Sequence, residues 1–376
     1  MGILKRAKES RKIFYGWFVA AASAMVMFVA AGTGGYTFSV FLVPLLEEFY
    51  WPRAQASFAY SLKWWLIGFG APLAGLLLDR YGGRVCLTVG VSLMSLGMLA
   101  LSTVSTLPFF YLFYALVGLG GALAIFVPNY TVVSNWFIRR RGLALAICVT
   151  GSGLGAVFMP RITDALIEQG GWRWAYQGLA LLIALVSLPP ILLVIRHKPE
   201  DIGLRPDGDP PAPPPSGRRE QAPSFSQDSL EGFTLKEALR TRAFWLVCLA
   251  IFCLAEGDIG ILSQVVVYLT DQGYSREFGA RVLSFYGFFT LAGRYTFGYW
   301  ADRWKTGPVM TISFFIHILG PLFLLLIHLP GAPWAFAACF GIAVGSGAVL
   351  AAAIEGWCFG RRELGKVMGI TRMFST

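Results

Sequence analysis

Arg294 sits in a strongly apolar stretch, four residues before Gly298 and eight before Asp302. At ~1.5 Å per helical residue it lies about 12 Å inside the polar end, where a charge is costly unless it faces a cavity or a partner. A guanidinium there stays protonated and can hold a carboxylate through two parallel hydrogen bonds, so the chemistry it suits is anion recognition. A structural arginine that snorkels or pairs with a carboxylate is the other reading. Glu256 and Asp258 fall in another apolar stretch, separated by Gly257 and followed by Gly260. At this spacing they diverge by ~200° on a helix, so local unwinding would be needed to bring both to one cavity. One of them then carries a coupling proton or pairs with Arg294; otherwise they cap a broken helix. Tyr36, Asn129 and Tyr130 offer hydroxyls and an amide that either orient a carboxylate or make helix contacts. Lys63 is expected to snorkel toward headgroups, Glu355 to act as a gate element near Arg361 and Arg362, and His317 and His328 to be packing or interfacial residues. The six cysteines lack metal-ligand spacing and read as small buried apolar residues. With no metal cluster, nucleophile elbow or phosphate-cradling loop in the sequence, neither an enzyme nor a cofactor is expected.

The elements that must position these residues are membrane helices. Of 376 residues 56% are hydrophobic and 14% charged, more apolar surface than a water-soluble domain can cover. Ten apolar stretches, near 14–46, 55–78, 85–105, 107–136, 142–167, 174–195, 243–270, 279–301, 307–329 and 333–358, are each long enough to cross a bilayer. Scattered Gly and Ala, without β-alternation, predict packed helices. The net charge of +10 comes from clusters at one set of loops, among them Lys5 to Lys12, Arg139 to Arg141, and Arg361, Arg362 and Lys366. This places the N-terminus in the cytoplasm and makes a nucleic-acid partner unnecessary. The basic N-terminus leads into a long first span with no small-residue cleavage site, so it is not a cleavable signal.

The pattern repeats. Gly75-x-x-x-Asp79-Arg80 closes the second span and Gly298-x-x-x-Asp302-Arg303 the eighth, while Trp136 to Arg141 is echoed by Trp357 to Arg362 at nearly the same offset. Two matches in register indicate a duplicated six-span unit. The expected organisation is a six-helix bundle over 1–195, a Pro-rich cytoplasmic linker over 196–241 with a short amphipathic helix in Phe233 to Arg242, and a second bundle over 242–376. That second bundle holds four spans and the start of an eleventh, so the natural gene is expected to continue.

The stretch Gly75-x-x-x-Asp79-Arg80-x-Gly82-Gly83-Arg84 resembles the signature of the major facilitator superfamily, and the likeness extends over the chain. A finer resemblance is to the monocarboxylate porter and oxalate–formate branch. It rests on Tyr15-Gly16-Trp17, Trp136-Phe137-x-Arg139-Arg140-Arg141-Gly142-Leu143-Ala144, Thr150-Gly151-Ser152-Gly153-Leu154-Gly155, Gly171-Trp172-Arg173 and Pro199-Glu200-Asp201-x-Gly203-Leu204. The resemblance implies an all-α polytopic fold of two pseudo-symmetric bundles, with Arg294 at the register of a substrate-binding arginine. It implies cavity-lining positions for Tyr36, Asn129 and Tyr130, and gate positions for Gly75, Asp79, Arg80, Arg84, Gly298, Asp302 and Arg303. Departures are informative. Tyr114 replaces the fourth-span arginine of many drug exporters, whose fifth-span Gly-Pro pair is also missing. The first-span lysine of animal monocarboxylate porters is absent from Tyr36-Thr37-Phe38-Ser39-Val40, and their acidic residue one turn before the arginine is Thr290. Where oxalate–formate porters use a second cation in the eleventh span, Arg372 is the one available, out of register.

These readings converge on alternating-access transport of a small organic anion, a monocarboxylate or small dicarboxylate, across an inner or plasma membrane. The expected partners are that anion, a coupling proton and the lipid bilayer, with a monomer as the working unit. A carrier of a neutral or cationic solute or drug, with Arg294 paired internally, and a non-transporting signalling or scaffold protein on the same fold are the alternatives.

Overall fold

Backbone groups inside hydrocarbon must bond within their own segment, which leaves helices for a chain of this hydropathy and Gly/Ala content. The computed structural model describes residues 14–208, 232–274, 276–304 and 306–374. Its α-helices are α1 (Tyr15–Tyr36), α2 (Phe38–Phe49), α3 (Arg53–Leu101), α4 (Leu107–Ala124), α5 (Phe126–Trp136), α6 (Arg141–Leu193), α7 (Leu235–Leu239), α8 (Arg242–Asp271), α9 (Arg276–Arg303), α10 (Thr306–Leu325), α11 (Ala332–Phe359) and α12 (Leu364–Met373). The N-terminal basic cluster and the Pro-rich middle of the linker lie outside the described residues.

Two helices are far too long for one crossing. α3 has 49 residues and α6 has 53, and each folds back at a single glycine in the left-handed region, Gly82 (φ 81°) and Gly171 (φ 78°). Only glycine takes that conformation without steric cost, so the glycine of the Gly82-Gly83 signature makes the turn between two antiparallel spans. Conversely, α1 with α2 and α4 with α5 are single spans interrupted near mid-membrane. At the first break Thr37 donates its hydroxyl to the Thr33 carbonyl at 2.7 Å. At the second, Ile125 leaves helical geometry (φ −97°, ψ −91°). Among the described residues this gives six crossings before the linker and four after it, with α12 beginning another, as the hydropathy pattern predicts.

Small residues let the spans touch backbone to backbone. A Cβ on Gly151 or Gly155 of α6 would lie 2.0 Å from the Ala24 carbonyl or 2.4 Å from the Phe28 carbonyl of α1. In the second bundle α9 and α11 meet in the same way, a Cβ on Gly345 falling 2.1 Å from the Thr290 carbonyl. In lipid, where apolar side chains gain little by leaving one apolar medium for another, such close packing is what holds helices together. The largest core cluster fills the first bundle, with Phe41 of α2 stacked on Tyr176 of α6 at 3.8 Å.

The expected amphipathic segment is the short helix α7. Thr234 caps it by accepting from the Glu237 amide while the Glu237 carboxylate accepts from the Thr234 amide, a reciprocal capping box. Phe233 donates to the Phe359 carbonyl at 2.8 Å, pinning the linker exit to the end of α11. Cys86, Cys148 and Cys248 are buried and Cys339 is half-buried, but Cys253 and Cys358 are exposed, so the expectation of six buried cysteines is corrected. A helix in lipid has an outward face that a thiol can occupy as readily as a methyl group.

Candidate functional site

Arg294 reaches from α9 across to α6. Its Nη1 donates to the Val149 carbonyl at 3.1 Å, and the guanidinium lies close enough to Gly153 that a Cβ there would stand 2.5 Å from Nη1. The Thr150-Gly151-Ser152-Gly153 run therefore makes room for the charge. Nε of Arg294 is buried without a hydrogen-bond partner, and among the described residues no carboxylate lies within 4.0 Å of the guanidinium. The neighbours within electrostatic reach are phenols: Tyr130, Tyr36, Tyr286 and Tyr295. A largely desolvated cation within electrostatic reach of phenols, with no carboxylate within 4.0 Å among the described residues, is an incomplete interaction, and a carboxylate would complete it.

The other expected residues fall in different places. Tyr36 ends α1 nearly half-exposed, and Tyr130 of α5 is buried beside it in the field of Arg294. Asn129 is fully buried, and its amide donates to the carbonyls of Ala124 (2.8 Å) and Ile125 (2.6 Å). Its donors are spent on the α4–α5 break, which corrects its reading as a ligand: it holds open the bend that presents Tyr130. Asp258 does not approach Arg294. Its carboxylate faces His317 of α10 at 3.7 Å, and α8 runs unbroken through Gly257, so the pairing of Asp258 with Arg294 and the expected unwinding are not present. The side chain of Glu256 lies outside the described residues.

Three further expectations are corrected. Lys63 does not snorkel: it is fully buried, donates to the Gly34 carbonyl, and its ammonium lies 4.0 Å from the Tyr60 ring and 4.7 Å from the Trp64 ring. Those π faces supply inside the protein the solvation that headgroups would have given. Glu355 does not join the basic run at Arg361. It is fully buried, accepts from Thr371 and faces Arg372 of α12 at 3.5 Å. Arg372, read as out of register, lies 5.2 Å from the Tyr130 ring. A second cation thus stands near Tyr130, balanced by its own carboxylate. Sequence reasoning missed this group because its members come from three helices.

At the end of the molecule that carries the basic clusters, carboxylates of each half cap helices of the other. Asp79 accepts from the Lys366 amide at 3.0 Å, at the start of α12. Asp302 accepts from the amides of Gly142 (2.6 Å) and Leu143 (2.9 Å), at the start of α6. The free amides and positive dipole end of a helix N-terminus are natural partners for such groups. Gly75 and Gly298 allow the approach: a Cβ on Gly75 would lie 2.1 Å from the Gly365 carbonyl, and one on Gly298 would lie 2.8 Å from the Gly142 carbonyl. Arg80, Arg84 and Arg303 stay exposed around these contacts, with Arg303 over Tyr299 at 4.3 Å. Glu200 adds a bidentate bridge to Arg361 (3.2 and 3.3 Å), and Asp207 accepts from the amides of Ile138 and Arg139. Glu200 of the Pro199-Glu200-Asp201 motif thereby joins the contacts at this end. Its signal in the sequence was an acid placed just after the sixth span, with a basic pair after the tenth.

Residues 17–376 match the sequence profile of the Major Facilitator Superfamily. The chain belongs to this superfamily. It is a multi-pass, all-helical membrane protein of a secondary-transporter family, not of an enzyme family. The MFS-type transporter pytF of Aspergillus terreus is 25% identical over 298 residues, which are 77% of this chain and 90% of that protein. Monocarboxylate transporter 13 of Bos taurus is 26% identical over 85% of this chain and 69% of its own length. The oxalate:formate antiporter of Oxalobacter formigenes is 24% identical over 80% and 67%. Among solved structures, the proton:xylose symporter XylE superposes with a TM-score of 0.67 at 14% identity, covering 96% of this chain and 86% of that one. This last likeness concerns the fold alone.

Proposed function

We propose that this major facilitator carries a small organic anion, a monocarboxylate or small dicarboxylate, by alternating access, with Arg294 as the anion anchor. One observation supports the reading above others: a guanidinium held between the halves, with an unused buried N–H and no carboxylate within 4.0 Å among the described residues. Tyr36 and Tyr130 orient the bound carboxylate, and Asn129 supports them through the helix break. The Arg372–Glu355 pair is neutral overall, so the uncompensated charge at Arg294 favours a guest that is an anion. Relatives named for monocarboxylates and for oxalate and formate are consistent with such a cargo.

The moving units are 1–195 and 242–376, joined by the 196–241 linker. Gly75, Asp79, Gly298 and Asp302 are the latches between them, and Arg80, Arg84 and Arg303 surround the latches. The basic end faces the cytoplasm of an inner or plasma membrane, as loop charge dictates, so the latched state is closed toward the cytoplasm. Each latch must be weak enough to break in every cycle, which suits amide-to-carboxylate contacts rather than dry hydrophobic ones. Proteoliposomes of the purified monomer, given labelled formate, oxalate, lactate or glucose, test the reading. It expects uptake of at least one anion, saturable and competed by the others. Uptake confined to glucose, or to an organic cation offered in parallel, would contradict it.

A further inference from the structure

His317 was expected to be a packing or interfacial residue, yet its surroundings ask for a proton. Its Nδ1 lies 3.0 Å from the Ser313 carbonyl, which can only accept, so Nδ1 carries the hydrogen. In the neutral ring Nε2 is then a lone pair, and it is buried without a hydrogen-bond partner. It looks at the Asp258 carboxylate across 3.7 Å, with the imidazole side chain 9% exposed and the carboxylate 20%. A lone pair facing a carboxylate in a medium of low polarity is repulsive, and a single proton between them turns the repulsion into a charge-assisted hydrogen bond.

The groups around the pair do not supply that proton's charge in another form. α10 itself adds Ser313, whose hydroxyl is engaged with Ser346 of α11 at 2.7 Å. α9 contributes Tyr286, a neutral phenol in the field of Asp258. Among the described residues no Lys or Arg lies within 4.0 Å of Asp258. The pair also bridges helices that otherwise stand apart. A largely apolar cavity of about 220 Å³ opens between α8, α10 and α11, lined by Leu254, Ser313 and Gly347 among others.

We propose that Asp258 and His317 form a proton-binding site, apart from the anion anchor, whose occupancy ties α8 to α10. The site holds one proton, shared as Asp258–COOH to the Nε2 lone pair or as carboxylate to imidazolium. When the proton leaves, the two groups repel and α8 is released from α10. Because α8 leads directly from the linker, such a release acts on the position of the second bundle during the transport cycle. The inference holds whatever the cargo.

Infrared difference spectroscopy of the full chain in lipid, stepped between about pH 5 and pH 8, tests it without any cargo. The expected result is a pH-dependent change in the carboxyl bands, of the acid or of the carboxylate, that is lost in Asp258→Asn and shifted in His317→Gln, where the amide donates to the carboxylate but cannot share its proton. A second arm replaces sodium with choline at fixed pH. The site as proposed gives no response there, and a band that follows sodium overturns the proton assignment. Absence of any band removed by Asp258→Asn, or a band indifferent to His317→Gln, also overturns it. In proteoliposomes, Asp258→Asn should lose oxalate accumulation driven by a pH gradient while keeping oxalate exchange at zero gradient. Unaltered gradient-driven accumulation contradicts coupling through this site. If wild type moves none of formate, oxalate and lactate but the band behaves as described, the anion reading fails and the proton site stands.

Discussion

At the scale of single residues, Arg294 could be read from the sequence because depth alone makes a permanent charge conspicuous, and the structure places it at the seam between halves. Its partner groups were less legible. Lys63 and Arg294 look alike in a hydropathy plot, but one is enclosed by Tyr60, Trp64 and the Gly34 carbonyl while the other, among the described residues, donates only to the Val149 carbonyl and keeps an N–H unused. Direction from the helix axis, not depth, decides between them. The anchor reading predicts unequal effects of two substitutions. Arg294→Lys keeps the charge but loses the planar fork, and Arg294→Ala loses both. In uptake assays the alanine variant should fall by about 2 kcal/mol or more of anion binding, on the order of thirtyfold, with the lysine variant between it and wild type. Equal activity of all three would remove Arg294 from the site.

At the scale of elements, the duplicated Gly-x-x-x-Asp-Arg motif announced that two helix ends do the same work. It did not say what the aspartates touch, because their partners are backbone amides, which no side-chain pattern encodes. Asp302→Ala removes two amide contacts at the start of α6, worth about 1 kcal/mol on the scale of helix-terminus interactions. Spin labels at Tyr81 and Trp304, one in each half at the basic end, should show a larger share of long distances in that variant. An unchanged distribution would mean that the contact does not hold the closed state. The turn after Gly82 adds a pH dependence. His197, in the loop after α6, accepts from the Gly83 amide at 3.2 Å, and burial pushes its pKa down to about 3. Folded chain then holds the neutral ring where unfolded chain binds a proton. Stability is full above the ordinary histidine value of about 6.5 and falls below it, by up to about 1.4 kcal/mol per pH unit, as pH drops toward 3. Thermal unfolding in detergent should follow this slope in wild type, and His197→Asn should flatten it.

At the scale of the whole molecule, hydropathy and loop charge were enough to predict ten spans and a basic end, because a bilayer imposes helix length and leaves few alternatives, while the repeated motifs supplied the expectation of two related bundles. The long-range associations of the site were not available from those signals. Tyr130, Arg372 and Glu355 meet through α5, α12 and α11, a consequence of how the bundles dock, and Asp258 meets His317 through α8 and α10, a consequence of packing within the second bundle. A cation between two related bundles, open to an oppositely charged guest, is the proposition on which the transport account depends. Calorimetric titration of oxalate and formate into purified wild type, Arg294→Lys and Arg294→Ala, each matched for folded yield, tests it most directly. The account predicts saturable binding of at least one anion by wild type, weakened in the lysine variant and lost in the alanine variant. Binding of equal strength in wild type and Arg294→Ala would contradict it.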